Sequence, residues 1–206
     1  MFKTAIHALA CLTLSLFATA GFGQEVRIGM GADITSIDPH AINITPNNNV
    51  SWHIFDTLAH VDEHTRVLPG LAESWRAVDP LTWEFKLRKN VKFHDGTGFT
   101  AADVIASLER PAKLAGSQFA SFVQRIVAKE IVDPHTIRVK TATPYAMVPY
   151  DLHSVFIIPA KLAGAASADF DAGKAAIGTG PYRFVRFARG DRVELVRNDQ
   201  YWGGKP

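Results

Sequence analysis

Residues 68–109 limit the possible folds more than any other part of the sequence, because they predict a turn, a hairpin and a capped helix in quick succession. Over 82–88, apolar and charged residues alternate, which is typical of a strand with one face towards a core. Thr100 and Asp103 then have the spacing of a capping box at the start of a helix. This stretch therefore predicts strands and helices packed within one structure.

Strand and helix patterns continue along the chain without strict alternation. Further strands are expected, of which the last two form an antiparallel pair around Gly190: 26–30, 126–132, 136–140, 182–187 and 192–197. Thr45 is predicted to cap a helix that begins at Pro46. The Ala- and Gly-rich residues 163–176 are interpreted as a surface connection. We identify no internal repeat. The expected fold class is therefore mixed α/β rather than a parallel doubly wound sheet.

Residues 1–23 have the pattern of a secretory signal peptide. Lys3 supplies a basic start, an apolar run follows, and Ala18 and Ala20 are small residues at the spacing that signal peptidase accepts. The alternative, an N-terminal membrane anchor, needs about 20 apolar residues, and the run is shorter. Cys11 is the only cysteine and lies in this segment, so the mature chain would have no disulfide and no thiol nucleophile.

The composition is that of a globular protein, with 47% hydrophobic and 20% charged residues. The formal net charge is only +2 and no basic run is present, so we expect no nucleic-acid partner. A mature length of roughly 180 residues allows one or two domains.

Two blocks of sequence resemble the signature regions of a known family. The first reads Leu-Pro-Gly-Leu-Ala-Glu-Ser-Trp over 68–75 and Val-Lys-Phe-His-Asp-Gly-Thr over 91–97. The second reads Gly-Thr-Gly-Pro-Tyr-Arg-Phe over 178–184, with Asn-Asp-Gln-Tyr-Trp over 198–202. They resemble the periplasmic solute-binding proteins of peptide and nickel ABC importers, bacterial extracellular solute-binding protein family 5. One departure is Gly98, where the family usually has proline.

The resemblance implies a type II periplasmic-binding-protein-like fold of the mixed-sheet α/β class. Residues 24–55 would begin the first lobe, 56–158 would form an inserted domain, and 159–206 would return to the first lobe and leave it incomplete. The second ligand-binding lobe would be missing, so that the protein would be truncated.

The resemblance also implies a function. Members of the family capture a peptide or a related solute in the periplasm and deliver it to an ABC-transporter permease in the inner membrane. The implied protein is a monomer, needs no cofactor and is not an enzyme.

Three segments and one aromatic residue are candidate ligand-binding positions. In the family, the segment matching Asn43, Ile44, Thr45, Pro46 and Asn47 lines the cleft and offers backbone groups to an extended peptide. The alternative for this segment is an ordinary helix cap.

The other candidates come from positions where backbone or a large side chain could meet a ligand. They are Gly31, Ala32 and Asp33 at the end of the first predicted strand, Thr179 and Gly180 in the second family block, and Trp52. Their alternatives are an exposed loop carboxylate, a turn that enters a strand, and core packing.

The sequence gives little support for a catalytic site or a metal site. His60 and His64 have helical metal-ligand spacing, but their segment is predicted to be a turn and lacks the His-Glu-x-x-His order, so no metal site is expected. His94, Asp95 and Asp103 are expected to brace a loop rather than to catalyse. The absence of a Gly-x-Ser-x-Gly motif disfavours the alternative of a secreted hydrolase.

The remaining alternative is a truncated fragment of such a solute-binding protein that binds nothing. In that case the strands at 182–187 and 192–197 would be left with open edges, which favour aggregation.

Overall fold

The computed structural model describes residues 25–206. Residues 25–30 belong to one unit, and Gly31–Pro206 form a second, compact unit. The second unit contains, in chain order, α1 (Thr45–Ile54), β1 (Ala59–Val61), β2 (Val67–Pro69), β3 (Ala72–Asp79), β4 (Thr82–Leu87), α2 (Ala101–Lys113), α3 (Ala120–Val123), β5 (Ile126–Asp133), β6 (Thr136–Thr141), α4 (Val148–Asp151), α5 (Ser167–Asp171), β7 (Tyr182–Ala188) and β8 (Arg192–Arg197). Short 3₁₀ turns cover Leu152–Ser154 and Ala160–Leu162. Within the described residues, no helix has the length and apolar character that crossing a membrane requires.

The strand predicted over 26–30 is absent. These residues have no regular secondary structure, and Val26 and Ile28 are 79% and 71% exposed. An alternating pattern produces a strand only when a partner strand accepts its hydrogen bonds and a core covers one face. The prediction was wrong for this structure because residues 25–206 supply no such partner.

A four-stranded antiparallel sheet, in the order β3-β4-β6-β5, is the largest sheet of the second unit. β1 and β2 form a separate hairpin, and so do β7 and β8. The predicted strands at 126–132 and 136–140 are confirmed and pair with each other, and the predicted pairing of 182–187 with 192–197 is confirmed. Gly190 has a φ of 73° in the turn between β7 and β8, a conformation that glycine adopts without steric cost.

The four-stranded sheet consists of two hairpins that share a local sequence. Val-Asp-Pro-x-Thr occurs at 78–82 and again at 132–136. Each hairpin joins a strand of 8 residues to a strand of 6 residues. The expectation of no internal repeat was therefore wrong. The repeat is short, and charged residues that flank it have opposite signs in the two copies, which conceals it in the sequence.

These charged residues form a row of alternating charge across the sheet, in which each residue is in register with the next: Arg76, Glu84, Arg138 and Glu130. Arg76 Nη2 and Arg138 Nη2 donate to the two different carboxylate oxygens of Glu84, both at 2.9 Å. Hydrogen bonds from Arg76, and then from Arg138, lower the pKa of Glu84. The alternating pattern of β4 is confirmed, but its central carboxylate is covered by arginines and only 4% exposed.

Two hydrophobic clusters fill the second unit. The first combines side chains from the sheet with side chains from α2, including Phe85, Leu87, Val104, Leu108 and Ile137. The second surrounds α1 and includes Ile37, Ile54, Phe55, Phe156 and Phe170. The helix α5 buries Phe170 completely, so the prediction that 163–176 is only a surface connection was wrong. Its small residues concealed one large side chain that anchors the segment.

The two predicted helix starts have different outcomes. The capping box of α2 is confirmed, because Asp103 Oδ2 accepts a hydrogen bond from the backbone N–H of Thr100 at 2.8 Å. In α1 the cap residue is Ile44, Thr45 is already helical, and no side chain caps the helix, so the predicted role of Thr45 was wrong. Pro46 lies in the first turn and has no N–H, which leaves fewer donors for a cap to satisfy.

Candidate ligand-binding site

Gly31, Ala32 and Asp33 are exposed and lie at the start of the second unit. Within residues 25–206, no backbone–backbone hydrogen bond engages the N–H or C=O groups of 31–34. Each such peptide group carries a donor and an acceptor that need a partner. An extended peptide can supply those partners by strand-like pairing. This short segment, which we call the ligand loop (residues 31–34), is therefore a candidate binding edge that includes a carboxylate, Asp33, and ends at the half-buried Ile34.

Asn47 is a buried support of the residue that follows the ligand loop. Its side chain is buried, with the residue 2% exposed. The backbone N–H of Thr35 donates to Asn47 Oδ1 at 3.0 Å, and Asn47 Nδ2 donates to Thr35 Oγ1 at 3.0 Å. Because both bonds end at the residue that follows the ligand loop, Asn47 ties that loop to the first turn of α1.

The rest of the predicted segment before α1 is partly open. Asn43 and Thr45 are exposed, whereas Ile44 and Pro46 are half-buried. Asn43 donates its backbone N–H to Gln118 Oε1 at 2.7 Å and accepts from Asn48 Nδ2 at 2.7 Å. These bonds fix the chain direction into α1, while the exposed side chain of Thr45 stays available to a ligand.

Trp52 is half-buried in an aromatic group on α1. Its ring lies 5.0 Å from the Phe156 ring and 5.6 Å from the His60 ring, measured between centroids. Burial is the main cause that lowers the pKa of His60, and the charges of Arg88 and His153 lower it further. Trp52 therefore packs against the second cluster and an uncharged imidazole, which is the core-packing alternative, with part of its surface still open.

Thr179 and Gly180 are buried against the end of α1. The N–H of Gly180 donates to the Ile54 carbonyl oxygen at 3.0 Å, and a Cβ at Gly180 would lie 2.7 Å from the His53 carbonyl oxygen. The hydroxyl of Thr179 donates to Asp56 Oδ2 at 2.7 Å. The close backbone approach that glycine permits is made here to α1 of the same chain, which supports the alternative of a turn into β7.

Asp56 is a polar centre that sequence reasoning missed. Besides Thr179, it accepts hydrogen bonds from Trp202 Nε1 at 2.8 Å and from the hydroxyl of Tyr201 at 3.3 Å. Burial, followed by the charge of Asp56, raises the pKa of Tyr201. Tyr201 and Trp202 end the second family block, so the sequence did indicate that these two residues matter. Their spacing could not reveal that Asp56 is the residue they bind.

The two sequence blocks that carry the family resemblance are in direct contact through His94. Its Nε2 lies 2.9 Å from the Gly180 carbonyl oxygen, and the N–H of Gly178 donates to its Nδ1 at 3.3 Å. Because Nε2 faces an acceptor and Nδ1 accepts a hydrogen bond, we assign the proton to Nε2, and the ring is neutral. Burial is the main cause that lowers the pKa of His94. The contacts agree with a bracing role.

An open concavity of about 560 Å³ lies beside the four-stranded sheet. None of the predicted site residues lines it. Its walls are formed by Thr65, Val67, Trp75, Trp83, Ala146, Met147, Pro149 and Tyr150. No acidic or basic side chain is among them. In residues 25–206, no three histidine, cysteine or acidic residues are grouped so that they could hold a metal ion.

The mixed α/β fold is that of the periplasmic-binding-protein-like class, because solved structures of that class match 84% of the chain. The family model for bacterial extracellular solute-binding proteins, family 5 Middle, matches residues 66–206, and the chain belongs to this family. The predicted family is therefore confirmed.

Individual relatives agree with this assignment. The chain is 30% identical over 205 residues to the glutathione-binding protein GsiB of Escherichia coli O1:K1 / APEC. This alignment covers 97% of this chain and 40% of that protein. It is 29% identical over 235 residues to the periplasmic oligopeptide-binding protein OppA of Salmonella typhimurium, which covers 97% of this chain and 43% of that protein. The structure of NikZ from Campylobacter jejuni in complex with Ni(L-His) matches with a TM-score of 0.75 at 28% identity, over 84% of this chain and 35% of that one.

These similarities confirm the predicted fold class, because the chain matches part of larger periplasmic binding proteins. The chain spans about 40% of the length of the curated relatives that it matches. The relatives are binding proteins, and their names refer to a bound solute and not to a reaction.

Proposed function

We propose that this chain supplies a ligand-contacting surface of the substrate-binding component of an ABC importer. The component captures a peptide or a related solute in the periplasm, after residues 1–23 are cleaved, and delivers it as a monomer to a permease in the inner membrane. It performs no chemistry on the solute.

The observation that carries this proposal is the ligand loop. Residues 31–33 are exposed, the backbone groups of the loop have no backbone partner within the described residues, and Asn47 holds the position that follows it. Recognition through backbone groups gives affinity without reading side chains, which suits a receptor for varied peptides. Asp33 adds a negative charge that can receive the amino terminus of such a ligand.

The proposed domain arrangement places this loop at one wall of a cleft. Residues 24–55 and 159–206 would form the first lobe, and 56–158 the inserted domain that holds the four-stranded sheet. The burial of Gly180 and Thr179 against α1 supports the pairing of the first and last segments. A second lobe would close over the ligand loop by a hinge motion coupled to binding.

The first test is calorimetry on the protein exported with residues 1–23 and purified from the periplasm, after its intact mass has shown whether they were removed. The probes are trialanine, glutathione and the nickel–histidine complex, because relatives bind oligopeptides, glutathione or Ni(L-His). We expect one of them to bind with a dissociation constant in the micromolar range or tighter. No heat from any of the three would contradict the proposal and favour the fragment that binds nothing.

A paired substitution tests the role of the backbone. Ala32→Pro removes one N–H of the ligand loop, whereas Ala32→Val keeps it and changes only the side chain. We expect the proline variant to weaken binding about 10-fold or more, the effect of losing about 1.4 kcal/mol, and the valine variant to bind nearly as well as the parent protein. Equal affinities for all three proteins would show that this N–H makes no contact with the ligand.

A further inference from the structure

The segment that follows the ligand loop is held by two side chains from the last part of the chain. Asp171, at the end of α5, accepts hydrogen bonds on Oδ1 from the hydroxyl of Ser36 at 2.9 Å and from the backbone N–H of Ile37 at 2.7 Å. Arg189, in the turn between β7 and β8, donates through Nη1 to the carbonyl oxygen of Thr35. Both contacts reach across more than a hundred residues of sequence.

The two side chains also bind each other, which closes a ring of contacts around the segment. Arg189 Nη2 donates to Asp171 Oδ2 at 3.0 Å, so each oxygen of that carboxylate has a different task. We call this arrangement the Asp171–Arg189 clamp. The ion pair alone would contribute little, because Arg189 is 63% exposed. Its importance lies in the backbone groups of Thr35 and Ile37 that its charged ends bind.

The position of the clamp relative to the ligand loop has a physical consequence. Residues 31–33 are exposed, Ile34 is half-buried against the second cluster, and none of the four has a backbone hydrogen-bond partner in the described residues. The contacts at the end of the loop are therefore the hydrogen bonds that restrict its conformation. Asn47 fixes the N–H of Thr35, while the clamp fixes the carbonyl of Thr35 and the next two residues. A loop held in advance loses less conformational entropy when a ligand binds.

We propose that Asp171 and Arg189 are positioning residues that hold the ligand loop in its ligand-receiving conformation. The proposal rests on the proposed function of that loop. Neither residue needs to touch the ligand, because each acts through Thr35, Ser36 or Ile37. Asp171 belongs to residues 163–176, a segment that the buried Phe170 anchors next to the clamp.

The first measurement is hydrogen exchange at the backbone amides of residues 31–37 in the full protein, without ligand. The variants are Asp171→Ala, Arg189→Ala and the conservative Arg189→Lys. The matched control is Asp191→Ala, which lies in the same turn and removes an exposed ion pair with Arg192 that does not involve the loop. We expect exchange at Ile37 to be about 10-fold faster in Asp171→Ala, about the effect of losing one hydrogen bond to a charged group, and unchanged in Asp191→Ala. Arg189→Lys should retain part of the protection that Arg189→Ala loses.

The second measurement is the dissociation constant of each variant for the probe that the parent protein binds best. We expect Asp171→Ala and Arg189→Ala to bind several-fold to about 30-fold more weakly, mainly through faster dissociation, while unfolding temperatures show that all variants are folded. Unchanged exchange in folded Asp171→Ala would overturn the proposal, and so would faster exchange with unchanged affinity. If the parent protein binds none of the probes, the proposed function fails, and exchange alone still decides whether the clamp holds the loop.

Discussion

Two buried carboxylates, Asp38 and Glu84, show that the two hydrophobic clusters are held together in different ways. Asp38 receives Arg110 Nη1 and Nη2, each at 2.7 Å, and the hydroxyl of Ser167 at 2.6 Å. These partners stand 72 and 129 residues away in the sequence. Glu84 receives two arginines from neighbouring strands of one sheet.

The surroundings of the arginines decide how much each pair matters. The side chain of Arg110 is only 3% exposed and its guanidinium lies 4.6 Å from the Phe170 ring, whereas Arg76 is 71% exposed. Burial by itself would raise the pKa of Asp38, but the bonds from Arg110 and Ser167 hold it below its usual value. The cluster around α1 thus depends on a polar tie between distant segments, while the sheet depends on strand pairing and its charge row is screened by water.

The largest effect that would test this comparison is the loss of Arg110. Arg110→Ala leaves the carboxylate of Asp38 buried without its main partner, and we expect it to lower the free energy of unfolding by about 3–5 kcal/mol. Urea unfolding measures this change, with Arg76→Ala as the control that removes an exposed partner of Glu84. Equal losses in the two variants would show that the comparison does not hold.

A change of pH should act on the α1 cluster through His40. Burial is the main cause that lowers the pKa of His40 to about 4. The charge of Arg110 lowers this pKa further, whereas the charge of Asp38 raises it. The unfolded chain takes up this proton near pH 6.5, so stability is lost as the pH falls from 6.5 towards 4, by up to about 3 kcal/mol. His40 Nε2 bonds the Phe156 carbonyl at 2.7 Å, while the buried Nδ1 has no partner among the described residues.

Unfolding of the parent protein and of His40→Gln between pH 7 and 4 measures this dependence. The variant should be less stable at pH 7 but should lose less stability on acidification. His64→Gln, at an exposed histidine, is the control and should keep the steep dependence of the parent protein. A steep dependence that persists in His40→Gln would assign the proton uptake to another group.

The smallest expected effect belongs to the sheet. Glu84→Gln keeps the shape of the side chain and removes the charge between Arg76 and Arg138. We expect the unfolding temperature to fall by less than in Arg110→Ala, because both arginines can turn to water. Since hydrogen bonds lower the pKa of Glu84, the difference between parent and variant should shrink as the pH falls below its ordinary value of 4.5. A fall larger than that of Arg110→Ala would reverse the order of the two regions.

Local patterns predicted the sheet well and the candidate site only in part. Alternation located β4, strand patterns located β5 and β6, and the spacing of Thr100 and Asp103 located the start of α2. Each of these signals acts between residues a few positions apart. The same reasoning selected Asn47, Thr179 and Gly180 as ligand contacts, whereas the structure buries them as supports for the ligand loop and for α1.

The sequence by itself determined the family, the mixed α/β class and the strands of the hairpins β5–β6 and β7–β8, because motif blocks and alternation are encoded in neighbouring residues. Only the tertiary structure decided which of the candidate residues are exposed, that Asp56 joins Thr179 to Trp202, and that Asp171 and Arg189 hold the segment after the ligand loop. These contacts join residues more than a hundred positions apart, and a polar side chain in a sequence does not reveal which distant donor or acceptor burial will bring to it.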